Sequence, residues 1–452
     1  MALVALAMIF GGGGTSNPQN EMILQFLTAV LVIPLVASRP WQSGLGPINP
    51  WAWLLAGLFL LMPVLHLIPL PPSIWQSLPG RAIEVQSLAT AQADQRWMPL
   101  TMAPARTFAS LLAMICPVLL MLQVSRLSIR GRNWICAAIV LIAILSMLLG
   151  ALQLSHTGGW TWSLYTDFSE GFLVGFQANR NAEADILLIA ALAFGVLLTS
   201  RLAGPKPSAA NWAALVLGIA AFLVAVFMTG SRTGIALVLP TLIALSVMLW
   251  PLLRLKRSFV FAVGGALATV LVSGALLAEL PAVQKVVSRF TLNGELRWEI
   301  WADTNFAIKQ VWPYGSGIGT IRPMLEAAER LEEVTERYPV RAHNDWLEWT
   351  MEAGVPGLIV LGAVALVLFV LIVRAIASAR ANGSDRARMT QILFAIGAFV
   401  IVALHSVVDY PLRCMSVAAL AAVAAAFLIK PPALQQNRPF YTAKEPLDPL
   451  LR

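Results

Sequence analysis

Eleven near-continuous apolar runs leave this chain few ways to fold. A helix that crosses a bilayer needs about 20 predominantly apolar residues. The runs lie at roughly 22–38, 51–70, 107–125, 134–153, 183–200, 211–229, 233–250, 258–278, 355–374, 389–407 and 412–429. They do not alternate apolar with polar residues, which argues for a helical bundle and against a β-barrel. Of 452 residues 58% are hydrophobic and 12% charged, whereas soluble domains carry roughly a quarter charged residues. The expected fold class is an all-α polytopic membrane protein with 11–12 transmembrane helices. The same composition excludes a disordered chain and a secreted disulfide scaffold. Cys116, Cys136 and Cys414 show no metal-ligand spacing.

A net charge of +8 would suit a nucleic-acid binder, but its distribution speaks for a membrane instead. One alternate set of inter-span loops holds 17 basic residues and three acids, Asp385, Glu445 and Asp448, a net of +14. The opposite set holds 14 basic and 20 acidic residues, a net of −6. Cytoplasmic loops are the Lys- and Arg-rich ones. The first set, which includes Arg126, Arg130, Arg132, Arg374, Arg380, Arg386, Arg388 and Lys430, is therefore expected inside, and no nucleic-acid partner is expected.

The first ten residues, MALVALAMIF, are apolar but too short to span. No charged segment precedes them and no small-residue cleavage site follows, so they read as the outer half of a short first helix rather than a signal peptide. GGGGTSNPQN would then be the first external loop. The organisation expected is transmembrane helices over 1–278 with an external loop at 71–106, a large external loop at 279–353, further helices over 354–429 and a tail at 430–452. Within the large loop, Glu295–Val311 and Arg322–Arg337 read as helices. Loops this long without lipid contact are usually functional.

Ionisable residues at span ends carry the functional reading, because burying one in lipid costs about 3 kcal/mol or more. Arg180 enters a span from GFQANRNAEAD. Arg232 sits in a tight SRTG turn on the side where basic residues are disfavoured, where it either faces an anion or snorkels to headgroups. Arg297 shares a helical face with Trp301 and Ile308. The stretch Gly315-Ser316-Gly317-Ile318-Gly319-Thr320 lacks the strand that precedes a dinucleotide loop, so it reads first as a turn and second as an anion nest. His343 is the best candidate base, since histidine accepts a proton near neutrality. Arg341 precedes it; Asn344 or Asp345 would orient its ring or an incoming hydroxyl, and Glu348 and Glu352 read as solvated surface.

No metal site is expected. Glu183 and Asp185, the nearest carboxylate pair, diverge by about 200° on a helix. No phosphate-binding loop appears either. Arginines and one histidine suit a substrate activated beforehand, such as a lipid-linked pyrophosphate, with the arginines on phosphate and the base on a hydroxyl.

At these residues the chain resembles the O-antigen ligase and polymerase superfamily of bacterial inner-membrane glycosyltransferases. The matching pieces are Asn179-Arg180-Asn181, Ser231-Arg232-Thr233-Gly234, RWEIW…PYGSGIGT over 297–320, HNDWLE…EAGVPG over 343–357 and HSVVDYPLR over 405–413. The resemblance implies a GT-C-like bundle of about twelve spans whose large periplasmic loop caps a cavity. It implies transfer of a glycan from an undecaprenyl-pyrophosphate carrier to an acceptor hydroxyl, with inversion and without metal or cofactor. On this chain Arg232 and Arg297 would bind the pyrophosphate and His343 would activate the acceptor. Arg180, Asn181, Arg341, Asn344 and Arg106 are expected to complete the substrate contacts. Partners would be the lipid-linked donor, lipid A–core or a glycan acceptor, and membrane lipids, in the bacterial inner membrane with the active site facing the periplasm.

The acceptor separates a ligase (lipid A–core) from a polymerase (another lipid-linked repeat) and a protein O-oligosaccharyltransferase (Ser or Thr). The ligase comes first, with an O-antigen or exopolysaccharide polymerase close behind. A polysaccharide transporter competes from outside the enzymes, but it predicts ionisable groups near mid-membrane and repeated halves, whereas the spans are nearly free of such groups and show no repeat. A catalytically inactive scaffold of the same fold stays open.

Overall fold

The computed structural model describes residues 1–14, 19–37, 47–155, 162–202, 208–253, 281–288, 297–332, 334, 340–381 and 385–432. The first part of the chain runs through α1 (Ala2–Phe10), α2 (Gln19–Ala37) and α3 (Pro50–His66). A small external layer follows: β1 (Pro69–Leu70), α4 (Pro72–Trp75), α5 (Ala82–Thr90) and β2 (Met98–Pro99), with Pro69 paired antiparallel to Pro99. Arg81 is buried inside this layer and donates to the carbonyls of Pro99 and Leu100.

The bundle continues with α6 (Pro104–Ser125), α7 (Ile129–Ser155), α8 (Arg180–Leu202), α9 (Ala209–Met228), α10 (Arg232–Ala236) and α11 (Val238–Leu253). Shorter helices α12 (Pro281–Ser288), α13 (Arg297–Val311) and α14 (Ile321–Ala328) occupy the described part of the large loop. The C-terminal helices are α15 (Asp345–Ala381), α16 (Arg386–His405) and α17 (Met415–Leu428), the last two joined through a 3₁₀ turn at Pro411–Arg413.

Among the described residues seven helices are long and apolar enough to cross a membrane, and α3 and α17 are shorter apolar helices. The chain is an all-α polytopic membrane protein. The expected span at 258–278 and the residues 335–337 of the second loop helix lie outside the described residues. Helix α8 is the axis: its most apolar stretch is 83% buried, packed on α7, α9, α11 and α16. Helix α15 lies at the margin, its apolar stretch only 11% buried, as a lipid-facing helix should be.

Helix α17 explains how a short apolar helix can serve. Its 14 residues rise about 21 Å, less than a bilayer core of about 30 Å. Its terminal carbonyls are met inside the protein: Arg132 donates to Phe427 and Ile429 at 3.0 Å each, and Arg388 to Leu428 at 3.0 Å. Those arginines, with Arg130, Arg374 and Lys430, gather at one end of the bundle. The N-termini of α8, α10 and α15 and the C-terminus of α16 gather at the other.

The charge asymmetry predicts which end faces which compartment. Reporter fusions after Ile129 and Ala381 should report cytoplasm and a fusion near Glu326 should report periplasm. A periplasmic signal at Ala381 would invert the bundle.

Candidate active site

The segment 405–413, HSVVDYPLR, ends α16 and turns the chain back into α17. Asp345 clamps this turn. Its backbone N–H donates to the carbonyls of Ser406 and Asp409 at 3.0 and 3.1 Å. Its carboxylate accepts from the Ser406 hydroxyl at 2.9 Å and the Leu412 N–H at 3.3 Å. The clamp brings Asp409 beneath His343, which immediately precedes the α15 cap.

His343 holds a left-handed backbone conformation at φ 50°, unusual for a residue with a side chain. Its Nδ1 lies 2.9 Å from Asp409 Oδ1, and its ring meets the Tyr410 ring edge-on at 5.0 Å. The imidazole is 31% exposed while the carboxylate below it is 3% exposed. Burial pushes the Asp409 carboxyl up, but the hydrogen bond and charge of His343, then the charges of His405 and Arg297, outweigh it and hold the group below the usual range. An ionised Asp409 requires Nδ1–H as donor, which leaves the Nε2 lone pair free to take a proton.

Asp409 is itself held from behind. Asn181 Nδ2 donates to its Oδ2, and His405 Nε2 stands 3.9 Å from the same oxygen. His405 Nδ1 lies 2.7 Å from Asp185 Oδ1. Asn179 Nδ2 donates to the Tyr410 hydroxyl at 3.2 Å. Helix α8 thus supplies Asn181 and Asp185, with Asn179 capping it through an Oδ1 that accepts from the Asn181 N–H at 2.8 Å. The last part of the irregular segment leading into α8, residues 172–178, is largely buried, and Ala178 N–H donates to the Gly12 carbonyl at 3.0 Å.

The SRTG turn has a local logic. Ser231 caps α10, its Oγ accepting from the Gly234 N–H at 3.1 Å. A Cβ at Gly234 would come within 2.5 Å of the Ala184 Cβ, so glycine lets α10 press onto α8 beside the site. Arg232 is the first residue after that cap, half-buried. Arg180 is the first residue of α8, its guanidinium 4.5 Å from the Phe172 ring centre, with the Lys285 ammonium 5.0 Å from the same ring. Arg297 opens α13, and Trp301, one turn on, donates from Nε1 to the Ala342 carbonyl at 2.9 Å, next to His343. Cations at helix N-termini oppose the macrodipole by about 0.3–1 kcal/mol each. Their arrangement concentrates positive potential where an anion would relieve it.

Beneath these residues lies an ionic cluster. Arg413 Nε stands 3.2 Å from Glu348 Oε1 and Nη1 stands 2.9 Å from Glu352 Oε2. Arg341 donates to Glu348 at 2.8 Å, and Glu348 also accepts from the Ala342 N–H at 3.3 Å. Glu348 and Glu352 are fully buried, contrary to the solvated surface their spacing suggests. Burial lowers the affinity of the Arg413 guanidinium for its proton, but Glu352, Glu348 and Asp345 more than restore it. Arg413→Met should therefore cost about 3–5 kcal/mol by leaving buried carboxylates unpaired, read as a lower melting temperature and folded yield. An unchanged melting temperature would mean that water reaches the cluster.

The glycine stretch closes the cluster. Gly319 and Ile321 N–H groups donate to Glu352 Oε1 at 2.8 and 3.2 Å, so the nest exists and holds the chain's own carboxylate. Gly317, at φ 110°, lies where a Cβ would be 2.0 Å from Thr101 Oγ1. Helix α15 breaks at Gly354 (φ 55°, ψ −152°), and the Val355 N–H turns to the Pro313 carbonyl at 2.8 Å. The loop and the break fit one another.

Of the expected residues, His343 and Asn181 meet at Asp409 and the charge of Arg297 acts on it, while Arg341 pairs with Glu348 and stands 5.9 Å from the Tyr410 ring centre. Asn344 caps α15, its Oδ1 accepting from the Trp346 and Leu347 N–H groups at 3.0 and 3.1 Å. Arg106 is exposed at the first turn of α6, its backbone beside Gly319. Glu183 accepts from Ser146 at 2.8 Å and Asp185 faces His405, so the two carboxylates serve different partners. No three His, Cys, Asp or Glu side chains among the described residues are grouped as metal ligands. Sequence reasoning gave no role to Asp409, His405, Tyr410 or Arg413, although all four lie in HSVVDYPLR.

Residues 213–362 match the family model described as O-antigen ligase. Over that stretch the chain is similar to an O-antigen ligase domain. The matched stretch contains Arg232, Arg297, His343, Glu348 and Glu352. Asn181, Asp409 and Arg413 lie outside it and reach the matched residues through the contacts above. No curated protein matches the chain. The match supports an O-antigen ligase or polymerase-family function for this stretch and suggests a glycosyltransferase-type enzyme.

Proposed function

We propose that this chain is an O-antigen ligase that moves a glycan from an undecaprenyl-pyrophosphate carrier to a hydroxyl of lipid A–core at the periplasmic face of the inner membrane. The observation that carries the reading is the pairing of a partly exposed His343 with a buried Asp409, among arginines at helix N-termini. In this reading the acceptor hydroxyl gives its proton to His343 Nε2 as its oxygen attacks the anomeric carbon. The bond from that carbon to the phosphate oxygen breaks on the opposite side, giving inversion. The undecaprenyl pyrophosphate leaves with the electron pair, and Arg232 and Arg297 take up its charge. Asp409 positions the ring, and no step needs a metal.

The test is transfer by the purified chain in liposomes, offered a lipid-linked glycan with lipid A–core, a second lipid-linked glycan or a Ser/Thr peptide in turn. Transfer to lipid A–core that survives EDTA is expected. Activity lost to EDTA and restored by magnesium or manganese would overturn the metal-free mechanism. Extension of the second lipid-linked glycan instead would make the enzyme a polymerase.

A further inference from the structure

A cavity of about 660 Å³ opens at the end of the bundle opposite His343. It lies between the start of α3, the α6–α7 turn, the last turns of α15, the start of α16 and the end of α17. Arg130, Arg374 and Lys430 line it with exposed cationic side chains. Two further charged groups on its wall are already engaged. Arg388 donates to the Leu428 and Ile429 carbonyls, and Asp385 Oδ1 accepts from the Arg388 N–H at 3.0 Å as the α16 cap. Leu371, Ala375 and Leu428 make the rest of the wall largely apolar, with Asn49, Ser128 and Ser378 as its neutral polar groups. Trp51 stands at the rim with the Arg374 guanidinium 5.6 Å from its ring centre.

The geometry points to this cavity as a binding site for the headgroup of an anionic phospholipid. Three cations converge on a space of ligand size, and Asp385, the only acid on its wall among the described residues, is tied to a helix cap. A soluble phosphate would need the cations alone. Here they stand over an apolar wall at the ends of spanning helices, beside an indole of the kind that anchors at the headgroup level. The neighbouring surface of α15 is lipid-facing, with Phe369 62% exposed. An acyl chain can therefore run down α15 while its phosphodiester meets Arg374, Arg130 and Lys430. Basic pockets between helices on the cytoplasmic side take anionic headgroups by this chemistry.

Native mass spectrometry of the purified full chain, titrated with phosphatidylglycerol, cardiolipin or phosphatidylethanolamine, tests the site. The wild type should prefer the anionic lipids by about tenfold or more. Arg130→Gln/Arg374→Gln/Lys430→Gln should remove that preference. Ser378→Trp, which keeps every cation but fills the cavity from its wall, should remove it too. Equal preference in the wild type and both variants would overturn the site. Displacement of the lipid by millimolar glycerol phosphate would also overturn it as a lipid site, since the cavity would then hold a soluble phosphate.

Discussion

Replacing His343 with alanine should lower glycan transfer by about 10²–10⁴-fold, the usual loss when general-base help is removed, and leave donor binding intact. The split follows from the geometry. The ring presents its outer nitrogen to solvent and its inner one to Asp409 at 2.9 Å, so it is oriented for an incoming hydroxyl rather than for phosphate. Asp409→Asn offers a companion test: an amide can donate to Nδ1 and so favours the wrong tautomer, which should cost transfer while the ring stays in place. A purely structural histidine predicts otherwise, with activity falling in proportion to folded protein. Donor-lipid binding and transfer, measured on the same well-folded variant, separate the two. Near wild-type transfer by His343→Ala would move the base elsewhere. Asp345 and Glu348 would be poor substitutes, because both are buried and held in place by Ser406, Leu412, Arg341 and Arg413.

The bundle was legible in the sequence because an apolar run long enough to span announces itself without any partner. His343 and the arginines were legible for the converse reason: ionisable groups are rare in such a chain, and those at span ends stand out. What escaped was pairing. Local reasoning offered Asn344 or Asp345 as the group that orients His343, since both adjoin it. The carboxylate that does so is 66 residues away, and only the packing of α16 and α17 against α15 brings it there. Glu348 and Glu352 show the same limit. Acids four apart on a helix look alike whether solvated or buried, and Arg413, beyond the next span, decides which they are. The glycine stretch could be read as a turn, but that its nest holds Glu352 depends on the break at Gly354.

Arg232→Lys and Arg297→Lys should each lose about 10²–10³ in transfer rate, although the formal charge is kept. A guanidinium is a rigid fork that binds two phosphate oxygens at once, whereas an ammonium is a point charge on a flexible stem. The two positions are favourable for such a fork. Arg232 follows the Ser231 cap and is pressed toward α8 by Gly234, while Arg297 is fixed through Trp301 to the backbone beside His343. Both lie at helix starts, where a cation opposes the dipole, so neither position serves the stability of its own helix. Because lysine keeps the charge, the melting temperature should stay close to the wild type's, in contrast to Arg413→Met. Donor binding should weaken in both lysine variants, in contrast to His343→Ala, because in the proposed mechanism their partner is the pyrophosphate. If Arg232→Lys and Arg297→Lys bind the lipid-linked donor as the wild type does and transfer at its rate, these arginines merely reach for headgroups. The anion at the helix starts would then have to be held by Arg180 and Lys285, which share the Phe172 ring.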